Sequence, residues 1–190
     1  MRSSHQPSGA DQQEGVVPCP GETYTSVMPA ATALIWSDKF RFHDTGVHPE
    51  NAERLLYLWQ RLSEDGLLEN RLVLDPRPAT FEDIAAVHDP EYIRLVIEIA
   101  RSGGGYLDAD TRLSERSYEV ALLAAGAAMT AVDTVLDGTA SPVMVFARPP
   151  GHHAERDRGM GVCLFNNAAV GDVRRDGGRD GRAGRYLDAL

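Results

Sequence analysis

The chain has 190 residues, enough for one domain with a sizeable core. Its 43% hydrophobic and 25% charged residues are typical of a soluble protein, and no apolar run approaches the length of a membrane span. The formal charge of −9 gives no global field that would attract nucleic acid or an anionic membrane, so we expect no direct nucleic-acid or membrane binding.

The cysteine usage points to a reducing compartment. Cys19 and Cys163 are too few and too far apart for a disulfide framework or a zinc knuckle. The first residues also lack the apolar stretch of a signal peptide. We therefore expect a cytoplasmic protein.

Composition divides the chain into three segments. Residues 1–29 are rich in Ser, Gln, Gly and Pro, which predicts a disordered tail, and residues 30–170 carry the periodic apolar patterns of a folded domain. Residues 171–190 alternate Gly, Arg and Asp without apolar periodicity. This last segment is either a flexible polar tail or the product of a reading frame lost near Val170, and composition does not separate the two.

Three short apolar runs predict strands, at residues 32–36, 71–74 and 142–147, and we expect the first and third to be buried. Helical patterns lie between them: from His48 to Gly66, from Thr80 to His88, from Pro90 to Ile99, and from about Ser114 to Leu136. Thr80 and Asp83 are spaced as an N-terminal capping pair. Strands separated by helices require crossover connections, which predicts an α/β fold with mainly parallel central strands flanked by helices.

Two adjacent histidines, His152 and His153, follow the third predicted strand in the run Arg-Pro-Pro-Gly-His-His-Ala. Prolines cannot continue a central strand, so we expect the pair on an exposed loop at the carboxyl end of the sheet, where ligands bind in open α/β folds. Near neutral pH an imidazole can give or take a proton, which suits acid–base chemistry. The alternative is a pair of loop histidines satisfied by Glu155 and Asp157.

The run at 148–154, followed by Gly-Val-Cys-Leu-Phe-Asn-Asn at 161–167, resembles the histone deacetylase and acetylpolyamine amidohydrolase family. That family has Pro-Gly-His-His-Ala followed by Gly-Phe-Cys-Leu-Phe-Asn-Asn. The segments at 48–54, 88–92 and 107–111 are similar to further family motifs. The resemblance covers roughly residues 32–170, the N-terminal part of the family domain only, and implies a partial three-layer arginase/deacetylase-like fold.

The resemblance implies a zinc-dependent deacetylase that hydrolyses an acetylated lysine peptide or an acetylpolyamine. It assigns His152 as the base or electrostatic partner of the attacking water and His153 as the proton donor to the leaving amine. Gly151 matches a residue whose backbone lines the acyl channel. Val162 stands where the family usually has a phenylalanine wall, and losing that ring would widen the channel.

Two acids of the loop at 107–111 are candidates for the rim of the site. The resemblance implies that Asp108 or Asp110 accepts hydrogen bonds from substrate. Loop acids are more commonly just solvated, and this alternative stays open.

The zinc ligands of the family have no counterpart that we can identify. They come from an Asp-x-Asp-x-His-His-Gly string and a later aspartate, whereas Asp108-Ala109-Asp110 lacks the following histidine and Asp188 has no partner. The family tyrosine is also unmatched, since Tyr186 lacks its context. We therefore expect no metal ligands in this chain and no zinc bound by it alone. The sequence resembles that of a deacetylase domain truncated before its metal ligands. The alternatives are a catalytically inactive remnant and a non-catalytic acyl-amine binding module.

Overall fold

The structure, a computed structural model, describes residues 31–175. Its strands are β1 (Ala33–Ile35), β2 (Leu72–Leu74), β3 (Gly104–Tyr106), β4 (Arg112–Ser114) and β5 (Val143–Val145). Its α-helices are α1 (Ala52–Glu64), α2 (Phe81–Ala85), α3 (Pro90–Arg101), α4 (Ser117–Leu136) and α5 (Asn167–Arg175), and a short 3-10 helix spans Asp38–Phe42.

A three-stranded parallel sheet lies at the centre, in the order β2-β1-β5. Ile35 of β1 is in register with Leu74 of β2 and Val145 of β5, so these three side chains share one face. The prediction of three mainly parallel strands is confirmed.

Helices cover both faces of this sheet. The face that carries Ile35 packs against α4. On the opposite face, Trp59 of α1 stacks on Trp36 with ring centroids 4.5 Å apart and meets Phe146 edge-on at 5.7 Å. The chain thus folds as an α/β structure in which a parallel sheet is flanked by helices.

Helix α4 is the main core element. Its many small residues allow close approach of neighbouring chain, and the tightest contact is at Gly126, where a Cβ atom would overlap the carbonyl oxygen of Arg77. By length and apolarity α4 alone among the helices of residues 31–175 could cross a membrane, but half of that stretch is buried within this structure. A second apolar cluster joins α4 to α2, α3 and α5.

Several local predictions need correction. Helix α1 begins at Ala52 instead of His48, because the Asn51 side chain accepts hydrogen bonds from the backbone N–H groups of Glu53 and Arg54 and so caps it. The strands β3 and β4 form an antiparallel hairpin that we did not predict. Helix α5 continues to Arg175, into the segment expected to be aperiodic from Gly171. The tail predicted at residues 1–29 and the remainder of the C-terminal segment, residues 176–190, lie outside the described residues.

The capping pair at the start of α2 is present as predicted. The Thr80 hydroxyl accepts a hydrogen bond from the Asp83 backbone, and the Asp83 carboxylate accepts one from the Thr80 backbone. This reciprocal capping satisfies two N–H groups that helix geometry leaves without partners.

His43 is a buried histidine behind the sheet. Its Nδ1 atom lies 2.8 Å from the Ser117 hydroxyl, while its Nε2 atom has no hydrogen-bond partner among the described residues. Burial first, and then the charge of Arg148, lowers the pKa of His43 to about 4. The ring is therefore neutral in the folded state at neutral pH.

We predict that Gly126→Ala destabilises the protein by about 1–3 kcal/mol, the usual cost of overpacking. In an open helix the same change typically stabilises by about 1 kcal/mol, so the sign is diagnostic. Urea unfolding followed by circular dichroism measures it. The control is Glu119→Ala in the same helix, which is exposed and loses only a surface ion pair with Arg116, so it should change stability by less than about 0.5 kcal/mol. A more stable Gly126→Ala variant would contradict the close contact.

We predict that His43 makes stability fall as the pH decreases from about 6.5 to about 4. In that window the unfolded chain binds a proton that the folded chain excludes, so each pH unit costs up to about 1.4 kcal/mol. Above about pH 6.5 His43 is neutral in both the folded and the unfolded chain, so it no longer makes the free energy of unfolding depend on pH. The test compares the free energy of unfolding against pH for the wild type and His43→Asn. The variant should lose about one proton of slope, and equal slopes would show that His43 is not buried as a neutral ring.

Candidate active site

The histidine pair lies on a turn directly after β5, at the carboxyl end of the parallel sheet. Both His152 and His153 are exposed. Their ring centroids are 4.2 Å apart and the rings are tilted by 51°. Both imidazoles can therefore reach the same small group from solvent, on the exposed loop that the preceding prolines predicted.

The backbone on each side of the pair is buried. Gly151 packs so closely against the backbone of residues 165–167 that a Cβ atom would overlap the Phe165 carbonyl oxygen. Ala154 is 2% exposed, and its N–H donates to the Gly151 carbonyl oxygen. The two histidines thus project from a short turn whose ends are fixed. The expected channel-lining role of Gly151 stays a prediction.

Two asparagines tie this turn to α5. The side-chain amide of Asn166 donates to the Ala154 carbonyl oxygen at 3.3 Å, and the side-chain amide of Asn167 donates to the Pro149 carbonyl oxygen at 3.1 Å. The Asn166 side-chain oxygen also accepts from the Ala169 backbone N–H in the first turn of the helix. The Asn-Asn pair therefore couples the turn to the helix start.

Arg148, which precedes the turn, is 3% exposed and fully engaged. Its guanidinium binds both carboxylate oxygens of Glu50, at 2.9 and 3.0 Å, and donates to the carbonyl oxygens of His43 and Phe40. Burial disfavours the ionised Glu50, but hydrogen bonds and charge from Arg148 outweigh it, so the pKa of Glu50 is lowered. This ion pair was not predicted from the sequence, although both residues lie in motifs that carry the family resemblance.

His88, between α2 and α3, and Tyr92, in the first turn of α3, hold the segment that follows the histidine pair. The Asn166 backbone N–H donates to His88 Nε2 at 2.9 Å, and the Tyr92 hydroxyl donates to the Leu164 carbonyl oxygen at 2.6 Å. Both residues lie in the motif at 88–92, but neither was predicted to have a function. The available signal was the spacing, a histidine that ends one predicted helix and a tyrosine four residues later in the next predicted helix.

The rim candidates Asp108 and Asp110 lie in the loop between β3 and β4. Hydrogen bonds from the backbone N–H of Asp110, and then from Thr111, lower the pKa of Asp108. Asp110 pairs with His48 Nε2 at 2.9 Å, and this hydrogen bond raises the pKa of His48. Both acids therefore already have partners within the protein, which leaves their substrate role a prediction.

Val162, the expected channel-wall position, has a left-handed backbone with φ of 62°. This conformation costs an ordinary residue about 1–2 kcal/mol, and β-branched side chains are rare there. Its N–H donates to the Thr111 hydroxyl at 3.2 Å, which ties Val162 to the loop that carries Asp108 and Asp110, and its expected channel-wall role stays a prediction. This hydrogen bond stabilises Val162 in its strained backbone conformation.

Cys163, the residue after Val162, is fully buried. Burial raises the pKa of its thiol. Since the thiolate is the reactive form, Cys163 is a packing residue at neutral pH and not a nucleophile.

A cavity of about 410 Å³ opens beside the turn, on the side of Arg148. Pro150 and Arg54 are on its wall. The turn therefore has open space on this side as well as at the exposed histidine rings.

The side chains of residues 31–175 do not match the zinc site that the resemblance implies. Within that range no three His, Cys, Asp or Glu side chains lie together in a way that could hold a metal ion. His152 and His153 supply two nitrogens without a third donor beside them. We therefore derive no step of chemistry through a metal.

Comparisons with known proteins identify relatives of this chain. The family model of the histone deacetylase domain matches residues 48–175. A probable deacetylase of Archaeoglobus fulgidus is 37% identical over 142 residues, which are 73% of this chain and 39% of that protein. The human polyamine deacetylase HDAC10 is 37% identical over 147 residues, 74% of this chain and 21% of that protein.

A solved structure extends the likeness to three dimensions. The crystal structure of the HDA15 HD domain superposes with a TM-score of 0.76 at 26% identity, covering 83% of this chain and 49% of that chain. This chain thus spans half or less of the length of these proteins. Since the family model matches 128 of its 190 residues, from 48 to 175, the chain belongs to the histone deacetylase family.

Proposed function

We propose that this chain carries the proton-transfer part of a deacetylase active site, which hydrolyses the acetyl amide of an acetylated amine. The observation that carries the proposal is the exposed His152–His153 pair, with rings 4.2 Å apart on a turn whose ends are buried. Family membership supplies the reaction class. The fixed turn supplies the preorganisation that acid–base catalysis requires.

Amide hydrolysis needs a base for the attacking water and an acid for the leaving nitrogen. We assign His152 to accept the proton of the water and His153 to donate a proton to the amine as the C–N bond breaks. The two rings are close enough to act on the same amide, with one as the proton acceptor and the other as the proton donor. The products are acetate and a free amine.

For the substrate we propose a cationic acetylated amine, either an acetylated lysine peptide or an acetylpolyamine. The name of the human relative, a polyamine deacetylase, supports the second. Asp108, whose pKa is lowered by backbone hydrogen bonds, keeps a negative charge near the rim loop. With valine at position 162 we also propose a wider acyl channel than a phenylalanine would leave.

Zinc dependence is part of the same proposal, because in this family we expect a zinc ion to polarise the amide carbonyl. Its ligands would have to come from outside residues 31–175, since those residues bring no three suitable donors together. We also propose a cytoplasmic location, supported by the cysteine usage.

A chimera tests the assigned roles. Residues 48–175 replace the matching segment of the Archaeoglobus fulgidus relative, and deacetylation of an acetyl-lysine peptide and of an acetylpolyamine is measured with zinc. We expect turnover. We also expect His152→Ala and His153→Ala each to lower kcat by about 10²–10⁴-fold, the usual contribution of a general acid or base.

The control in this chimera is Asp157→Ala, an exposed residue on the loop after the pair, which should leave kcat within about twofold. An active chimera whose turnover survives both histidine substitutions would refute the proton-transfer roles. A folded chimera without turnover would refute the competence of this segment.

The 190-residue chain alone should behave differently. We predict weak zinc binding by calorimetry and hydrolysis of both substrates at background rates. Without a Lewis acid the transition state loses several kcal/mol, and each ~1.4 kcal/mol costs about tenfold in rate. Robust turnover that chelators and His153→Ala both abolish would show that the chain assembles ligands beyond those that the structure describes.

A further inference from the structure

His88 is a buried histidine without a role in the proton transfers assigned above. It lies between α2 and α3 and is 1% exposed. Its Nε2 atom accepts the Asn166 backbone N–H at 2.9 Å, and its Nδ1 atom lies 3.3 Å from the Arg156 carbonyl oxygen. A backbone N–H can only donate, so Nε2 carries the lone pair and the ring proton is on Nδ1, facing the carbonyl.

These two contacts are at opposite ends of one loop. Arg156 comes three residues after His153, and Asn166 precedes α5. A single imidazole therefore bridges the first and last residues of the loop at 156–166. The Arg156 carbonyl oxygen also accepts from the Asp89 N–H at 2.8 Å, so the outgoing end is held twice.

Tyr92, in the first turn of α3, contacts the last residues of the same loop. Its hydroxyl donates to the Leu164 carbonyl oxygen, and its ring meets Phe165 edge-on with centroids 6.0 Å apart. The ring of His88 lies 5.5 Å from the ring of Phe165. Residues 164–166 are therefore clamped by two polar contacts and by aromatic packing.

The histidine pair rests on this clamped segment. Gly151 packs directly on the Phe165 carbonyl oxygen, and the Asn166 side chain donates to the Ala154 carbonyl oxygen. Residues 151 and 154 are the two ends of the turn that presents the pair. A shift of the segment at 164–166 would therefore move both ends of that turn.

His88 is suited to a fixed structural contact and not to proton transfer. Burial lowers its pKa to about 4, so the ring stays neutral with one donor and one acceptor near neutral pH. The buried ring also has no access to solvent, so it cannot exchange a proton with a substrate.

We propose that His88, assisted by Tyr92, is a positioning residue for the His152–His153 pair. It acts by fixing residues 156 and 166 through a neutral imidazole protonated on Nδ1. The proposal deepens the proposed function and rests on it for the meaning of the pair, since positioning matters to catalysis only if the pair transfers protons.

The test uses nuclear magnetic resonance on the full 190-residue chain and does not depend on deacetylation. It measures hydrogen exchange of the Asn166 backbone amide and the ring-to-ring nuclear Overhauser effects between His152 and His153. His88→Phe keeps an aromatic ring but loses both polar contacts. We expect the Asn166 amide to exchange about tenfold faster or more and the ring-to-ring signals to weaken.

Two further variants separate positioning from simple packing. His88→Gln can still offer an acceptor near the Nε2 position, and we expect it to restore part of the Asn166 protection. Val96→Ala, on the buried face of α3, lowers stability through a cavity but breaks none of these hydrogen bonds. It should leave the ring-to-ring signals of the pair unchanged.

The proposal is overturned if His88→Phe retains both signals, or if Val96→Ala weakens the pair as much as His88→Phe does. If His88→Phe fails to fold, His88→Gln and Tyr92→Phe decide. Tyr92→Phe removes only the bond to Leu164 and should weaken the ring-to-ring signals, and unchanged spectra in both variants would reject the role. The chimera can be inactive while these spectra support positioning, so failure of the proposed function is recognised separately.

Discussion

The buried ion pair between Arg148 and Glu50 is the interaction on which the site depends. It joins the end of β5 to the loop before α1, and the same guanidinium binds carbonyl oxygens at His43 and Phe40. A charge taken out of water is tolerated only when its donors are satisfied, and removing one partner typically costs about 3–5 kcal/mol. The loop, the strand end and the turn that follows are consequently held as one unit. The histidine pair can be exposed to solvent because this ion pair fixes the strand end and the loop that lead into the turn.

The surroundings of the pair show how a rigid base supports polar side chains at a surface. Apolar packing between the sheet and α4 fixes where β5 ends. Close packing of Gly151 on Phe165 and Asn167, and the hydrogen bond from the Asn167 side chain to the Pro149 carbonyl oxygen, then fix the turn, and the two imidazoles project from it. The histidines that lie beneath the surface, His43 and His88, have pKa values lowered by burial, so they remain neutral packing and hydrogen-bonding groups. The same side chain therefore serves different purposes according to its access to water.

Local patterns in the sequence were enough to predict the sheet, the long helix and the exposed turn. Apolar runs, capping residues and prolines act within a few residues, and the strands near 32–36, 71–74 and 142–147 follow from them. The β3–β4 hairpin was not predicted because Gly104 and Gly105 of β3 do not show the alternation of apolar and polar residues that predicts a strand. The early start expected for α1 was wrong because Asn51, and not His48, caps the helix.

The contacts that organise the site could not be predicted, because they join residues far apart in the chain. Arg148 reaches Glu50 across 98 positions, and Asn166 reaches His88 across 78. Such contacts give the chain a high contact order, which slows folding. At ribosomal rates of about 5–20 residues per second, Glu50 would be synthesised about 5–20 s before its arginine partner. The carboxylate must stay hydrated through that interval, so the loop around it can close only when the strand that leads to the histidines has been made.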